Sequence, residues 1–445
     1  MILHPVVDQV AARHPLDAGS AAGFFIGMAA AAALSARRPA LGIAALIVAG
    51  PFAFYRDLGA TTVTLPKVVL IGVALGLMLR RPSLGALAAR SVRPLLFGAI
   101  AILAATALSV LAPAMYLEPT LRETLKAAEY LVLFAVVVIA WNCDPDENPI
   151  RLAFAGVLAL VSWLAIAQEA LGAPSGIWYH GFAIPRIAGP LEGPNQLSGY
   201  VGIALPVVVA FALAREATKF ELIAVASGAL AIVLTISRAG TFAAIVAFGL
   251  VVICSGPRYR RAVLTACAVG AAAGCALLGL WGLLGTHSLG SAEAFFGRFW
   301  NFSEVEDPGA VGKRSQLWRA AVDLWKAHPV LGIGAGNFEF EIGEAGFYGI
   351  RTHANSLFLQ ALVEGGLPLF AATLYTTIAS ILTFDRRAAR EPLALGALGA
   401  SAGFALHQVV DLLVFFPKVG GLWWIVLGLG AASLATAPLA ARRRL

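Results

Sequence analysis

Four arginines and one histidine have side chains that could hold an anionic headgroup and move a proton beside it. Arg186 lies in the Gly/Pro-rich stretch 185–195 that ends at Asn195, Arg238 in Ser237-Arg-Ala-Gly240, and Arg314 and Arg319 in Arg314-Ser-Gln-Leu-Trp-Arg319. A guanidinium keeps its charge at any physiological pH and grips phosphate oxygens through two parallel N–H donors. Several of them converging from separate loops would hold an anionic headgroup such as a diphosphate. For Arg186 and Arg319 the competing reading is a side chain that snorkels to a membrane interface. Arg238 interrupts an apolar stretch, where a charge is costly without a use.

His353 opens Thr352-His-Ala-Asn355-Ser-Leu-Phe-Leu-Gln360-Ala-Leu-Val-Glu364-Gly-Gly366. An imidazole titrates near neutral pH and so can take a proton from a reacting hydroxyl. Read as one helix, His353, Gln360 and Glu364 fall within about 40° of one face, and Asn355 points elsewhere. His407 and Asp411, four apart, read as a hydrogen-bonded pair on a helix face, too few for a metal site. Gly332-x-Gly334-x-Gly336 follows no strand and lacks a βαβ context, so it is not read as a nucleotide site. Cys143, Cys254, Cys267 and Cys275 form no Cys-x-x-Cys pair, and neither zinc nor a disulfide framework is indicated.

The elements that must position these groups follow from composition. Of 445 residues, 59% are hydrophobic and 13% charged, with a mean hydropathy of +0.82. Soluble domains carry roughly 25% charged residues, so a water-soluble enzyme is excluded. The apolar runs are unbroken rather than alternating, which excludes a β-barrel. The expectation is an all-α, polytopic transmembrane helix bundle of about 12 spans, each needing about 20 mainly apolar residues. Candidate runs cover 20–36, 39–55, 62–79, 94–112, 122–141, 150–171, 197–214, 220–236, 240–254, 262–284, 353–384, 393–413 and 419–440.

The net charge of +7 is concentrated between these runs, at Arg37-Arg38, Arg80-Arg81 with Arg90 and Arg93, Arg258 with Arg260-Arg261, Arg386-Arg387 with Arg390, and Arg442 to Arg444. Under the positive-inside rule these are cytoplasmic anchors, not a nucleic-acid face. The side on which the N-terminus lies stays open, and no cleaved signal peptide is expected in residues 1–20. The expected organisation is a first part of the bundle over 1–284, a large external loop over 285–352, and the rest of the bundle over 353–445. That loop is too long to be a plain connection, and the helical spacing of apolar residues in 314–325 predicts a small helical cap.

The order and spacing of these motifs resemble the O-antigen ligase and O-antigen polymerase superfamily of bacterial membrane glycan transferases, most nearly the ligases. The resemblance spans roughly residues 185–415, through Arg186-x-x-Gly with Pro194-Asn195, Ser237-Arg-Ala-Gly240, Arg314-x-x-x-Trp318 with Pro329-x-x-Gly332-x-Gly334, His353 with Gln360 and Glu364-x-Gly366, and His407-x-x-x-Asp411. It implies a glycosyltransferase of the GT-C-like kind in the bacterial inner membrane, with its site facing the periplasm and the 285–352 loop on that side. The donor would be an undecaprenyl-diphosphate-linked glycan, the acceptor a lipid A-core sugar hydroxyl, with neither cofactor nor metal. Carried over by motif, Arg238 and Arg314 would hold the donor diphosphate and His353 would assist the attacking hydroxyl. Arg186, Arg319, Asn195, Asn355, Glu364, His407 and Asp411 would line the substrates. Many relatives read His-x-His-Asn where this chain has Asn355 at the second histidine position, leaving His353 as the local imidazole. A repeat-unit polymerase is the alternative within the superfamily, and a polysaccharide or lipid transporter or flippase the alternative outside it.

Overall fold

The computed structural model describes residues 17–52, 54–58, 61–113, 115–171, 177–179, 182–184, 186–255, 260–284, 314–346, 352–384 and 391–442. Every apolar run predicted from sequence holds a helix: α1 (Ala18–Arg37), α2 (Pro39–Ala49), α3 (Leu65–Leu79), α4 (Arg93–Leu108), α5 (Leu117–Cys143), α6 (Glu147–Ala170), α7 (Pro194–Ala214), α8 (Lys219–Leu234), α9 (Arg238–Cys254) and α10 (Arg260–Leu284). Two short helices, α11 (Arg314–Ala327) and α12 (Phe338–Glu341), precede α13 (Leu357–Leu382), α14 (Pro392–Val409) and α15 (Pro417–Arg442). The only strands among the described residues are two antiparallel hairpins, β1 (Tyr55–Leu58) with β2 (Thr61–Thr64), and β3 (Ile177–Tyr179) with β4 (Phe182–Ile184). The chain is an all-α polytopic membrane bundle.

Eight of the described helices are long and apolar enough to cross a membrane, fewer than the dozen expected. The difference lies in helices such as α2, whose 11 residues rise only about 16 Å against a hydrocarbon core of about 30 Å. Large apolar side chains including Phe25, Ile26, Met78 and Ile253 face outward, as a lipid-facing surface requires.

Ion pairs show which ends share a face. Arg38 pairs with Asp146, Arg80 donates to the last carbonyls of α1, Ala36 and Arg37, at 3.0 Å each, Arg215 pairs with Glu147, and Arg151 pairs with Glu221. The α1–α2, α3–α4, α5–α6 and α7–α8 connections therefore lie together on one basic face. Arg258, Arg386, Arg387, Arg390, Arg443 and Arg444 lie outside the described residues. The start of α1 falls on the opposite face, where Arg56 of β1 donates to Ser20 at 2.9 Å.

Close helix approach is built from small residues, as expected where lipid supplies no hydrophobic drive between helices. A methyl group at Gly76 of α3 would sit 2.3 Å from the Ala32 carbonyl of α1, and one at Gly403 of α14 would sit 2.7 Å from the Ala243 carbonyl of α9.

Within 314–346 the chain folds as a small cap with its own core, Leu317, Ala320, Ala321, Ile333, Phe338 and Ile342, closed against Ala354 and Val363. Residues 285–313 and 347–351 of the expected loop lie outside the described residues. The glycine turn seats the cap on α13: Gly332 has φ +68° and a Cβ there would meet the Val363 carbonyl at 2.5 Å, while Ile333 N donates to that carbonyl at 2.9 Å. At this level α13 is broken by Gly366, with φ 61° and ψ −156°, and by Pro368. Asn337, fully buried, hooks the cap to the start of α5. It accepts from Tyr116 N at 2.9 Å and donates to Tyr116 O at 3.0 Å and Thr120 Oγ1 at 3.1 Å.

Candidate functional site

Of the ten residues singled out from sequence, nine fall in two groups towards the face opposite the basic one, and Arg319 stands apart from both. The first is built on the α8–α9 corner. Thr235 ends α8, and Ser237 caps α9 by accepting from Gly240 N at 3.3 Å, so Arg238 becomes the first residue of a helix whose positive dipole end points outward. Arg238 is acted on first by burial and second by the charge of Arg314, the first residue of α11.

Asp411, buried just beyond α14, lies beneath this pair. Its Oδ2 is 3.9 Å from Arg314 Nη2 and 3.8 Å from His407 Nε2. Neither His407 Nε2 nor Asp411 Oδ2 makes a hydrogen bond to any described residue, so the expected direct hydrogen bond between them does not form at this separation. Asp411 sits past the end of α14 at Val409 rather than on the shared helix face, which explains the gap.

Arg186 is buried and donates from Nε to the Thr235 carbonyl at 2.7 Å and from Nη2 to Asn195 Oδ1 at 3.2 Å. It ties the start of α7 to the corner that carries Arg238. Arg319 is exposed on α11, about 140° around the helix from Arg314 at 100° per residue.

The second group surrounds His353. The expectation that His353, Gln360 and Glu364 share one helix face is corrected. Asn355 takes φ +49° and Ser356 is extended, so α13 starts only at Leu357. Asparagine tolerates that left-handed conformation better than most residues. Gln360 and Glu364 instead support the loop from below. Ala354 N donates to Gln360 Oε1 at 2.8 Å, Gln360 Nε2 donates to Glu364 Oε1 at 2.7 Å, and Phe338 N donates to the same oxygen at 3.2 Å. Glu364 thus joins the histidine loop to the cap, and it also borders the cavity beside His353.

The imidazole rests on Phe415, ring centroids 4.2 Å apart, and opens on a cavity of about 530 Å³ lined by residues of β2, α3, α5, the cap and the 410–416 segment. Burial, with a smaller contribution from the Lys126 charge, lowers its pKa to about 4. The ring is therefore neutral near pH 7 and able to accept a proton. The two groups are joined by the chain itself, since Leu357 N donates to the Asp411 carbonyl at 3.1 Å and the 410–416 segment runs from Asp411 to Phe415.

Lys126 and Phe415 were not among the site residues expected from sequence. Lys126 Nζ lies 4.0 Å from the Phe415 ring centroid, donates to the Phe415 carbonyl at 3.1 Å and pairs with Glu123 at 2.6 Å. Glu129, three residues further along α5, pairs with Lys67 at 3.5 Å. The available signal was the charge set Glu123, Lys126 and Glu129 within an apolar run, all on one side of α5.

The fold and these groups define a polytopic helical membrane protein that presents guanidiniums and a neutral imidazole towards the face opposite its basic one. Residues 223–374, about a third of the chain, match the family model described as O-antigen ligase. The matched stretch contains Arg238, Arg314, Arg319, His353, Asn355 and Glu364, whereas Arg186, Asn195, His407 and Asp411 lie outside it. No curated protein matches the chain.

Proposed function

We propose that the protein is an O-antigen ligase of the bacterial inner membrane, moving a glycan from undecaprenyl diphosphate to a lipid A-core sugar hydroxyl on the periplasmic side. The observation that carries the reading is Arg314 held 3.9 Å from Asp411, its charge reaching Arg238, with the Asp411 backbone bonded to the start of the helix that follows the neutral His353. The acceptor oxygen attacks the anomeric carbon, the bond from that carbon to the diphosphate oxygen breaks, and the electron pair leaves with the lipid diphosphate. Arg238 and Arg314 neutralise the charge that grows there, the largest contribution expected of such a site. His353 takes the hydroxyl proton, an effect typically worth about 10²–10⁴-fold. Arg186 and Asn195 set the corner carrying Arg238, and Asp411 with His407 lies beneath Arg314. Arg319 adds long-range attraction at the rim, and Asn355 shapes the histidine loop. The domain division follows: a bundle over 1–284 and 353–445, and a periplasmic loop over 285–352.

Purified protein in vesicles, given lipid-linked glycan and lipid A-core, should form glycan-bearing core. Arg238→Ala or Arg314→Ala should abolish transfer without lowering membrane expression, and full activity in either variant overturns the assignment. Gene deletion separates the ligase from the polymerase. Loss of a ligase leaves lipid-linked polymer and a bare core, while loss of a polymerase leaves core carrying a single repeat unit.

A further inference from the structure

We infer that the basic face carries a site for one anionic phospholipid, its phosphate held by Arg37, Arg80 and Arg81 where the ends of α1 and α3 meet. This goes beyond the proposed transfer reaction and does not depend on it.

Charge on the basic face is unevenly matched. On the α5–α6 and α7–α8 side, Arg151 pairs with Glu221 and Arg215 with Glu147. On the α1–α2 and α3–α4 side, residues 34–50 and 78–93 hold six arginines and no acidic residue. Asp146 reaches across to Arg38. Arg37 and Arg81 are exposed, and neither pairs with an acidic side chain among the described residues.

The helix ends fix where these charges stand. Arg80 donates from Nη1 to the Ala36 and Arg37 carbonyls, at 3.0 Å each, a favourable place for a cation because the C-terminal end of a helix is its negative end. That contact locks the end of α3 to the end of α1 and leaves the Nε and Nη2 donors of Arg80 for another acceptor. Arg81 follows with φ 48°, a left-handed turn that stops α3 at once and keeps both arginines at its end.

Apolar surface adjoins the charges. Met78 and Leu79 in the last turn of α3 are exposed, and so is Leu84 in the short 3₁₀ helix Leu84–Ala88. Guanidiniums grip phosphate oxygens through two parallel donors, and the exposed apolar side chains suit acyl chains. A phospholipid uses both halves, whereas a soluble anion uses only the first. Basic sites between helices at such a face are known to take anionic headgroups. The lipid bridges α1 to α3, and α1 is the least buried of the eight long apolar helices, so the bridge steadies the span with the least packing of its own.

The test is thermal unfolding of the full-length protein in a non-ionic detergent, titrated with phosphatidylglycerol, phosphatidylcholine or inorganic phosphate. Phosphatidylglycerol should raise Tm, because it binds the folded state, at concentrations where the other two have no effect. Arg37→Gln and Arg81→Gln should each weaken the titration about fivefold, and the double variant about 25-fold. Arg215→Gln removes one charge from the same face and should leave the midpoint unchanged, because Glu147 already occupies that guanidinium. Equal weakening by Arg215→Gln would mean general attraction to a positive surface and overturns the inference. So does an unchanged midpoint in both single variants, or a rise in Tm with phosphatidylcholine or inorganic phosphate that equals the rise with phosphatidylglycerol.

Discussion

Lys126 and His353 meet on the same aromatic ring: the ammonium lies 4.0 Å from the Phe415 centroid, and the imidazole centroid lies 4.2 Å from it. Burial acts first to hold the His353 pKa near 4, and the Lys126 charge acts second in the same direction. Because the folded value lies below the ordinary 6.5, the neutral ring favours the folded state above that pH, and the contribution is lost as pH falls from 6.5 towards 4.

Activity should follow the same group. Transfer by the wild type should persist well below pH 6, because His353 remains able to accept a proton. Lys126→Met removes the repelling charge and leaves Glu123 without its cation, and both changes raise the His353 pKa towards the ordinary value. Glu129, Glu339 and Glu364 also face the cavity, opposed by Lys67 and Arg122, and these are unchanged in the variant. The acid limb of the rate profile should move to higher pH in Lys126→Met and return in Lys126→Arg. Superimposable acid limbs would count against Lys126 as the residue that keeps the base neutral.

Arg314 and Arg319 should differ sharply although both lie on α11. Arg314 lies 3.9 Å from Asp411 and its charge reaches Arg238, whereas Arg319 lies about 140° around the helix. Arg319→Ala should slow transfer only a few-fold, through weakened long-range attraction that added salt also removes. Arg314→Ala should abolish transfer at any salt concentration. Asp411→Asn should fall between them, about tenfold down in kcat/KM for the donor, because the guanidinium loses the carboxylate beneath it. Equal losses for Arg314→Ala and Arg319→Ala would remove the distinction.

Helices were legible wherever a local pattern was sufficient. The 419–440 run became α15, and the Ser237-Arg-Ala-Gly stretch became a capped helix start because Ser237 serves its own backbone neighbour. The site's geometry depended on contacts that no local spacing encodes. Asn337 is unremarkable among its neighbours, and its role appears only because Tyr116 and Thr120, more than two hundred positions away, present matching groups. His353 was read onto a helix because its spacing to Gln360 and Glu364 fits one. The left-handed backbone at Asn355 and the bond from Leu357 to Asp411 start that helix four residues later. Nor does spacing along α5 show that Glu129 pairs with Lys67 of α3 while Lys126 pairs with Glu123.

Asn337 should be a hinge pin for the cap. Asn337→Ala leaves Tyr116 N and O and the Thr120 hydroxyl without their partner in a buried setting, costing on the order of 2–4 kcal/mol. Limited proteolysis should then cut within 314–346 faster than in the wild type, with the helix content of the bundle unchanged by circular dichroism. Equal cleavage rates would show that the α11 contacts hold the cap unaided.

The α1–α3 seam makes the last prediction, because it separates close packing from glycine content alone. A Cβ at Gly76 would stand 2.3 Å from the Ala32 carbonyl and 2.9 Å from Ala36 N. These are backbone atoms of α1, which cannot turn aside as a side chain could. Gly27 of α1 has nothing within 4 Å of the same position. Gly76→Val must therefore push α1 away from α3, and overpacking of this kind costs about 1–3 kcal/mol. Gly27→Val should be tolerated and should gain slightly, because valine is a better helix former than glycine. Thermal unfolding in detergent should place Gly76→Val below the wild type and Gly27→Val at or above it. The reverse order would mean that α1 does not rest on α3 at this seam.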